Sequence, residues 1–374
     1  MDNLLKKHNF GAGPCILPRP VLEKAAAAVL NWNCSGLSIL EVSHRSKEFV
    51  QVMADTEELV RELLDVPQDY EILFMQGGAS SQFSIVPLNL LQASNKHKAA
   101  YLDTGYFATK AIAQARRYGE VQIVASSREK GYSYIPDNYS IYHDCAYLHL
   151  TSNNTIEGTQ VSAFKDFGIP LVCDMSSDIF SRRIDVSKFD LIYAGAQKNM
   201  GPAGMTLVIT KQSLLRQIKQ SLPEMWDYRI MAENDSMYNT PPVYPIYVSM
   251  LNLQWLKSIG GVAEIEKRNA KKAALLYEAI DASEIFFGTA NKKHRSPMNV
   301  TFKCHHPKHE AGFMQYAIEM GIVGIKGYRT VGGFRASLYN GLPIESVEHL
   351  VRAMKQYENQ QQLKAVDKNK IAIL

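Results

Sequence analysis

Between residues 70 and 210, short continuous apolar runs alternate with amphipathic segments. EILFM (71–75), AAYLD (99–103), VQIVA (121–125), YLHL (147–150), PLVCD (170–174), DLIYAG (190–195) and MTLVIT (205–210) read as strands. Their lack of polar alternation predicts burial on both faces. With helical segments between several of them, the pattern is that of an α/β protein, a mostly parallel central sheet covered by helices. Ahead of the sheet, Pro20 occupies a favoured first-turn position and opens a helix through LEKAAAAVLN. A second helix spans about 46–65, with Phe49, Val50, Met53, Val60, Leu63 and Leu64 on its apolar face. Beyond the sheet, a helix at 246–258 ends near Gly260-Gly261, where another begins, and the glycine pair is expected to act as a hinge. Strands at 297–304, 322–325 and 334–339, with helices near 309–320 and 344–360, predict a smaller α+β C-terminal domain. The expected division is an irregular arm over 1–15, a large domain over 16–260 and a small one over 261–374, the last dozen residues being a helix end and tail.

A length of 374 residues is long for one hydrophobic core, which agrees with two domains. A hydrophobic share of 46% and a charged share of 21% are those of a globular protein. The net charge of +4 is too small to argue for nucleic acid or an anionic membrane, and fits a small anionic ligand if the positive charge is gathered in a cleft. The five cysteines, at 15, 34, 145, 173 and 304, include no CxxC pair, so neither a disulfide framework nor a zinc site is expected, and no metal. Cys145 and Cys173 sit in apolar runs and read as buried thiols. The first residues lack the apolar core of a signal peptide and no run of 18 apolar residues occurs, so a cytoplasmic location is the expectation.

Two strand ends carry most of the chemical signal. In PLVCDMSSDIFSR (170–182) and FDLIYAGAQKNMGPAG (189–204) an apolar strand stops at polar residues. Sites in open α/β sheets form at the carboxyl ends of strands, so Asp174 and Lys198 are expected to project into one crevice. A buried Asp beside a buried Lys reads either as a structural ion pair, with little net gain, or as a pyridoxal phosphate site. That cofactor needs an amine for its Schiff base and a carboxylate at its pyridine nitrogen, and a desolvated lysine suits both the linkage and proton transfer. Small residues in Gly-Pro-Ala-Gly (201–204) are expected to let the backbone pass close to a bound ring. EILFMQGGASSQF (71–83) offers a strand, a glycine turn and a helix opening at Ala79, Ser80 and Ser81, which reads as a plain turn or as a helix-terminus phosphate site. In DTGYFATKA (103–111), Phe107 or Tyr106 reads as core packing or as the residue stacked on a pyridine face. In TSNNTIEGTQ (151–160), Thr155 is placed to bond the ring hydroxyl, and MYNTPP (237–242) is a proline-stiffened polar loop.

Taken together, NFGAGPCILP (9–18), EVSHRSKEF (41–49), QGGASSQF (76–83), SNNTIEGTQ (152–160), CDMSSDIFSR (173–182), YAGAQKNMGPAG (193–204), MYNTPP (237–242) and RTVGGFRASLYNGLP (329–343) resemble phosphoserine aminotransferases, class V members of the fold-type I pyridoxal-phosphate enzymes. The resemblance implies transfer of the amino group between glutamate and 3-phosphohydroxypyruvate in serine biosynthesis, with the related phosphohydroxythreonine pair of vitamin B6 synthesis at the same site. It implies Lys198 as the Schiff-base lysine, Asp174 as the pyridinium partner, Phe107 stacked on the ring, Thr155 at the ring hydroxyl, and Ala79, Ser80 and Gln197 at the cofactor phosphate. Asn239 and Thr240 would reach that phosphate from a second subunit, which implies a homodimer. Arg335 would hold the substrate α-carboxylate as a bidentate fork. His44 and Arg45, which alone read as a solvated pair, would take the distal phosphate or side-chain carboxylate with help from Arg329. The chain departs from the family pattern at Phe107, where many members have Trp, at Ser80, where some have Arg, and at Tyr328, where many have His. The last two changes remove positive charge from the distal-anion region, for which Lys326 is the nearby candidate to compensate. The competing readings are a class V lyase or desulfurase, which needs a cysteine on a loop over the cofactor, with Cys304 the nearest candidate, and a non-catalytic α/β binding protein.

Overall fold

The computed structural model describes residues 7–371 except 94 and 142. The first six residues of the expected arm and the last three of the expected tail lie outside the described residues. The seven apolar runs form seven strands: β1 (Tyr70–Gln76), β2 (Lys98–Asp103), β3 (Glu120–Ser126), β4 (Leu148–Thr151), β5 (Leu171–Asp174), β6 (Leu191–Gly195) and β7 (Met205–Lys211). They make one sheet in the order β1-β7-β6-β5-β4-β2-β3. Every neighbouring pair is parallel except those of β7, which runs antiparallel to both β1 and β6. The carboxyl ends of β1, β2, β4, β5 and β6 therefore meet at one edge, which is where the chemistry lies. β3 departs from the expected burial on both faces. It is the edge strand and none of its residues is fully buried, because nothing pairs with its outer side.

Helices α1 (Arg19–Leu30) and α2 (Lys47–Leu64) cover one face of the sheet, and α3 (Ala79–Pro87) and α4 (Tyr106–Ala115) the other. Ser46 fixes the start of α2, its Oγ accepting from the Phe49 N–H at 3.2 Å, and Asp65 ends the helix in the left-handed conformation. Such a cap is worth about 1 kcal/mol. The long helix α5 (Val243–Ser258) is buried on all sides from Ile246 to Leu253, since α1 and α2 cover what the sheet does not. Here the structure corrects one expectation. Gly201 is small because a Cβ would lie 2.1 Å from Ser249 Oγ of α5, and Gly204 packs on Pro245 of the same helix. The Gly-Pro-Ala-Gly run serves helix packing and lines no part of the cofactor cavity.

Gly260 and Gly261 both take positive φ, 106° and 68°, and turn the chain from α5 into α6 (Gly261–Asp281). Beyond it, β8 (Phe286–Gly288), β9 (Asn299–Cys304) and β10 (Phe334–Ser337) form an antiparallel three-stranded sheet with α7 (Lys308–Glu319) and α8 (Ile344–Ile371) around its own apolar cluster. β8 is too short to show periodicity and was not expected. The expected strand at 322–325 is two residues long and pairs with His8–Asn9 of the arm instead of joining the small sheet. α8 runs through the stretch expected as tail, since nothing between 361 and 371 breaks a helix. Lys272 of α6 is buried and donates to the carbonyls of Leu338, Tyr339 and Leu342 at 2.8–3.1 Å, which fixes the chain just past β10.

Candidate active site

At the carboxyl edge of the large sheet lies a cavity of about 270 Å³. β5 ends at Asp174 and β6 at Gly195, and the turn after β6 carries Gln197 and Lys198. Lys198 is 9% exposed, and its Nζ donates to Thr155 Oγ1 at 3.0 Å. Burial pushes the Lys198 amine down to about 8, opposed by the Asp174 charge and reinforced by Arg335. Asp174 is buried at the cavity floor. Burial pushes its carboxyl up, while the Ser176 N–H at 2.9 Å and the Lys198 charge pull it down. The Phe107 ring, at the start of α4, lies with its centroid 5.5 Å from Lys198 Nζ. The N-terminus of α3 opens at Ala79 and Ser80 after Gly78, with no side chain capping it, so its N–H groups face the cavity ready for an anion. Arg335 of β10 closes the far wall, its Nε buried without a partner.

The structure thus brings Lys198, Asp174, Thr155, Phe107, Ala79, Ser80, Gln197 and Arg335 to one cavity. These residues fit pyridoxal 5′-phosphate. The amine and the carboxylate line one space together with an aromatic ring, and an uncapped helix terminus lies on the same lining. Thr151 Oγ1, at the end of β4, is buried on the same lining with no partner, a polar atom that a bound polar group would satisfy. Among the described residues, no group of three or more His, Cys, Asp or Glu could hold a metal ion.

The sequence matches the family model for class V aminotransferases over residues 7–350. Phosphoserine aminotransferase of Flavobacterium psychrophilum is 56% identical over 356 residues, covering 95% of this chain and 99% of its own. The chain belongs to the phosphoserine aminotransferase family. Solved structures agree with this. Phosphoserine aminotransferase from Bacillus circulans subsp. alkalophilus superposes with a TM-score of 0.93 at 42% identity, over 95% of this chain and 99% of that one. The pyridoxal-phosphate-bound phosphoserine aminotransferase from Trichomonas vaginalis gives 0.90 at 38%, over 94% and 100%.

Against this family background, five expected site residues stand apart from the cavity of the single chain. Asn239 and Thr240 sit at the end of β1, where Gln76 Nε2 donates to the Thr240 carbonyl at 2.7 Å and to Asn239 Oδ1 at 3.4 Å. His44 and Arg45 lie in the turn before α2, Arg45 in solvent and His44 with a buried Nε2 that has no partner. Arg329 is exposed beside Tyr328 at the rim, and Lys326 does not line the cavity. Tyr328 does line it, with its ring 5.2 Å from that of Tyr106. Tyr106 therefore packs at the rim, which leaves Phe107 as the ring facing Lys198. Cys304, the cysteine a desulfurase reading would need, is buried in β9 with its thiol pushed up to about 12 by burial, and lines no part of the cavity. The sequence reading missed Ala12 and Gly13 of the arm, Thr151, Asn153, Ser176 and Ser177. Thr151 follows Leu150 at the end of β4 and the two serines lie within three residues of the end of β5, so all three were open to the argument that located Asp174. The arm residues reach the cavity through a long-range pairing that no local pattern reveals.

Proposed function

We propose that the protein is a pyridoxal-phosphate-dependent transaminase that moves the amino group of L-glutamate to 3-phosphohydroxypyruvate, giving O-phospho-L-serine and 2-oxoglutarate for serine biosynthesis. The observation that carries this reading is one cavity lined by Lys198, with its Nζ 5.5 Å from the Phe107 ring centroid, by Asp174 and by Arg335. When bound, pyridoxal phosphate supplies an aldehyde that takes up the amino group and a protonated pyridine ring that draws electrons from the substrate Cα. The chain's own residues do the rest. The N–H groups of Ala79 and Ser80 and the Gln197 side chain would hold the phosphate, Phe107 would stack on the ring, Thr155 would meet its hydroxyl and Asp174 would keep its nitrogen charged. Lys198 would hold the cofactor in the resting enzyme, and its amine, buried beside Thr155 at 3.0 Å, would serve as the base for the substrate Cα proton. An amine near 8 has a neutral share at working pH, as a base for that step requires. Arg335 grips the α-carboxylate. One fixed arginine and one basic cluster serve both substrate pairs, since each carries an α-carboxylate and a distal anion.

The distal-anion residues His44 and Arg45 come, on this reading, from a second copy of the chain, as do Asn239 and Thr240. The apolar side chains left in solvent support this. Leu22, Leu30, Leu37, Leu40 and Val50 fall within one stretch around His44, with Leu30 84% and Leu40 61% exposed. Such a concentration marks an interface. Replacing Leu30 and Leu40 together by Glu is expected to turn the dimer into monomers in sedimentation velocity. It should also remove activity toward substrates with an anionic side chain, while a dimer that survives would place the interface elsewhere.

The test of function is the isolated half-reaction. The loaded enzyme is mixed with O-phospho-L-serine, L-glutamate or L-serine, and the absorbance change of the cofactor is followed. Conversion by the first two and far less by serine is expected, and equal conversion by serine would remove the distal-anion site. Arg45→Ala should lower kcat/KM for phosphoserine and glutamate by about 30- to 150-fold, the worth of a charge-assisted pair of roughly 2–3 kcal/mol, and leave alanine unaffected. Unchanged kinetics for the anionic substrates would end its assignment.

A further inference from the structure

Glu157 has no part in the roles above, yet it joins three walls of the site. It follows Thr155 and Ile156, which line the cavity, and is 7% exposed. Its Oε1 accepts from the Tyr106 N–H at 2.8 Å, at the N-terminus of the helix that carries Phe107. The residue before that helix, Gly105, has no side chain to cap it, and a Cβ there would lie 2.7 Å from Glu157 Oε2. The Glu157 carbonyl accepts from Thr301 Oγ1 at 3.1 Å, and Thr301 is the cross-strand partner of Arg335. The segment that carries Thr155, helix α4 and the small sheet are thus tied together at this one residue.

Two buried atoms of opposite charge in this region, Glu157 Oε2 and Arg335 Nε, have no hydrogen-bond partner among the described residues. They feel each other without forming a closed ion pair. Burial pushes the Glu157 carboxyl up to about 7, with the Tyr106 N–H and then Arg335 pulling it down. Burial also lowers Arg335, with Tyr339, Glu157 and Tyr328 pulling it back up. The other charge facing Glu157 is Asp103 at the end of β2, which opposes its ionisation and is itself bonded to Arg128 at 3.2 Å. Glu157 is the carboxylate whose charge acts on Arg335. A docking α-carboxylate brings a second anion to the same guanidinium, and two anions on one cation disfavour each other.

We propose that Glu157 is a positioning residue that sets the anion affinity of Arg335, carrying its charge while the site is empty and taking up a proton when a substrate α-carboxylate docks. This rests on the transaminase reading, in which Arg335 holds that carboxylate. The sign follows from linkage. Glu157 binds protons more tightly in the complex than in the free enzyme, so anion affinity is highest where Glu157 is protonated and falls as pH rises through its range.

The experiment titrates glutarate, a dicarboxylate without an amine, into the cofactor-loaded enzyme by calorimetry, in two buffers of different ionisation heat between about pH 6 and pH 8.5. The wild type is expected to take up part of a proton per glutarate and to weaken about tenfold across that range. Glu157→Gln keeps the shape and the acceptor for Tyr106. It is expected to bind about fivefold more tightly than wild type at the alkaline end, to match it at the acid end, and to take up less proton. A residue that merely held the helix in place would give weaker or unchanged binding in the variant, never tighter. Weaker binding at every pH, or an unaltered proton count, overturns the proposal. If glutarate fails to bind the wild type at all, the reading of Arg335 as a carboxylate clamp falls first and the proposal with it.

Discussion

Replacing Lys198 by alanine is expected to lower the half-reaction rate by about 10⁴-fold or more, the combined worth of a covalent anchor and a positioned base. No other amine lines the cavity among the described residues, so nothing stands in for it. The amine is buried, held at 3.0 Å by Thr155 and brought down to about 8, which makes it a competent base near neutral pH. Lys198→Arg should be as inactive as the alanine variant, because a guanidinium keeps its proton under these conditions. Two readouts separate lost chemistry from a damaged fold. The variant should still bind pyridoxal phosphate through the Ala79 and Ser80 terminus, seen as Phe107-region fluorescence quenching or calorimetric heat, but release it on gel filtration. Added methylamine should restore part of the rate in single-turnover absorbance measurements. Turnover within tenfold of wild type would remove Lys198 from both tasks.

How much of this was legible beforehand differs between the sheet edge and the far walls. The seven strands were open to reading because each is a continuous apolar run, and Asp174 and Lys198 because each run stops at a polar residue that topology places at one edge. Short pieces escaped. β8 has three residues, and the two-residue pairing of His8–Asn9 with Ile322–Val323 is a long-range contact with no periodic signature. The glycines at 201 and 204 carry no mark in the sequence that tells helix packing from cofactor approach, and only Ser249 and Pro245 on α5 settle it. Glu157 is legible only in space, since its meaning lies in Tyr106, Thr301 and Arg335, distant in the chain. The assignment of Arg335 rested on family resemblance. The fold places the half-buried guanidinium, carried by β10, on the lining of the same cavity as Lys198.

Asp174→Asn is expected to lower the half-reaction rate by about 10²- to 5 × 10³-fold, since removing one partner of a buried charge pair costs roughly 3–5 kcal/mol. In the folded chain Asp174 is buried, and burial alone pushes its carboxyl toward the neutral form. The Ser176 N–H at 2.9 Å and the nearby Lys198 charge resist this, and the positive ring nitrogen of a bound cofactor would add to them. The coupling is reciprocal: whatever the ring nitrogen does to hold Asp174 ionised, Asp174 does to hold that nitrogen protonated. Asparagine keeps the size and the acceptor for Ser176 but removes the charge, so the nitrogen should lose its proton and the ring its pull on the Cα electrons. The discriminating reagent is pyridoxal phosphate methylated at the ring nitrogen, which carries a permanent positive charge. Loaded into Asp174→Asn it should recover at least about tenfold of the lost rate, whereas in wild type it should slow the reaction because the methyl group crowds the carboxylate. A variant as slow with the methylated cofactor as without it would mean that Asp174 acts by shaping the floor with Thr151 and Ser176, and not through its charge.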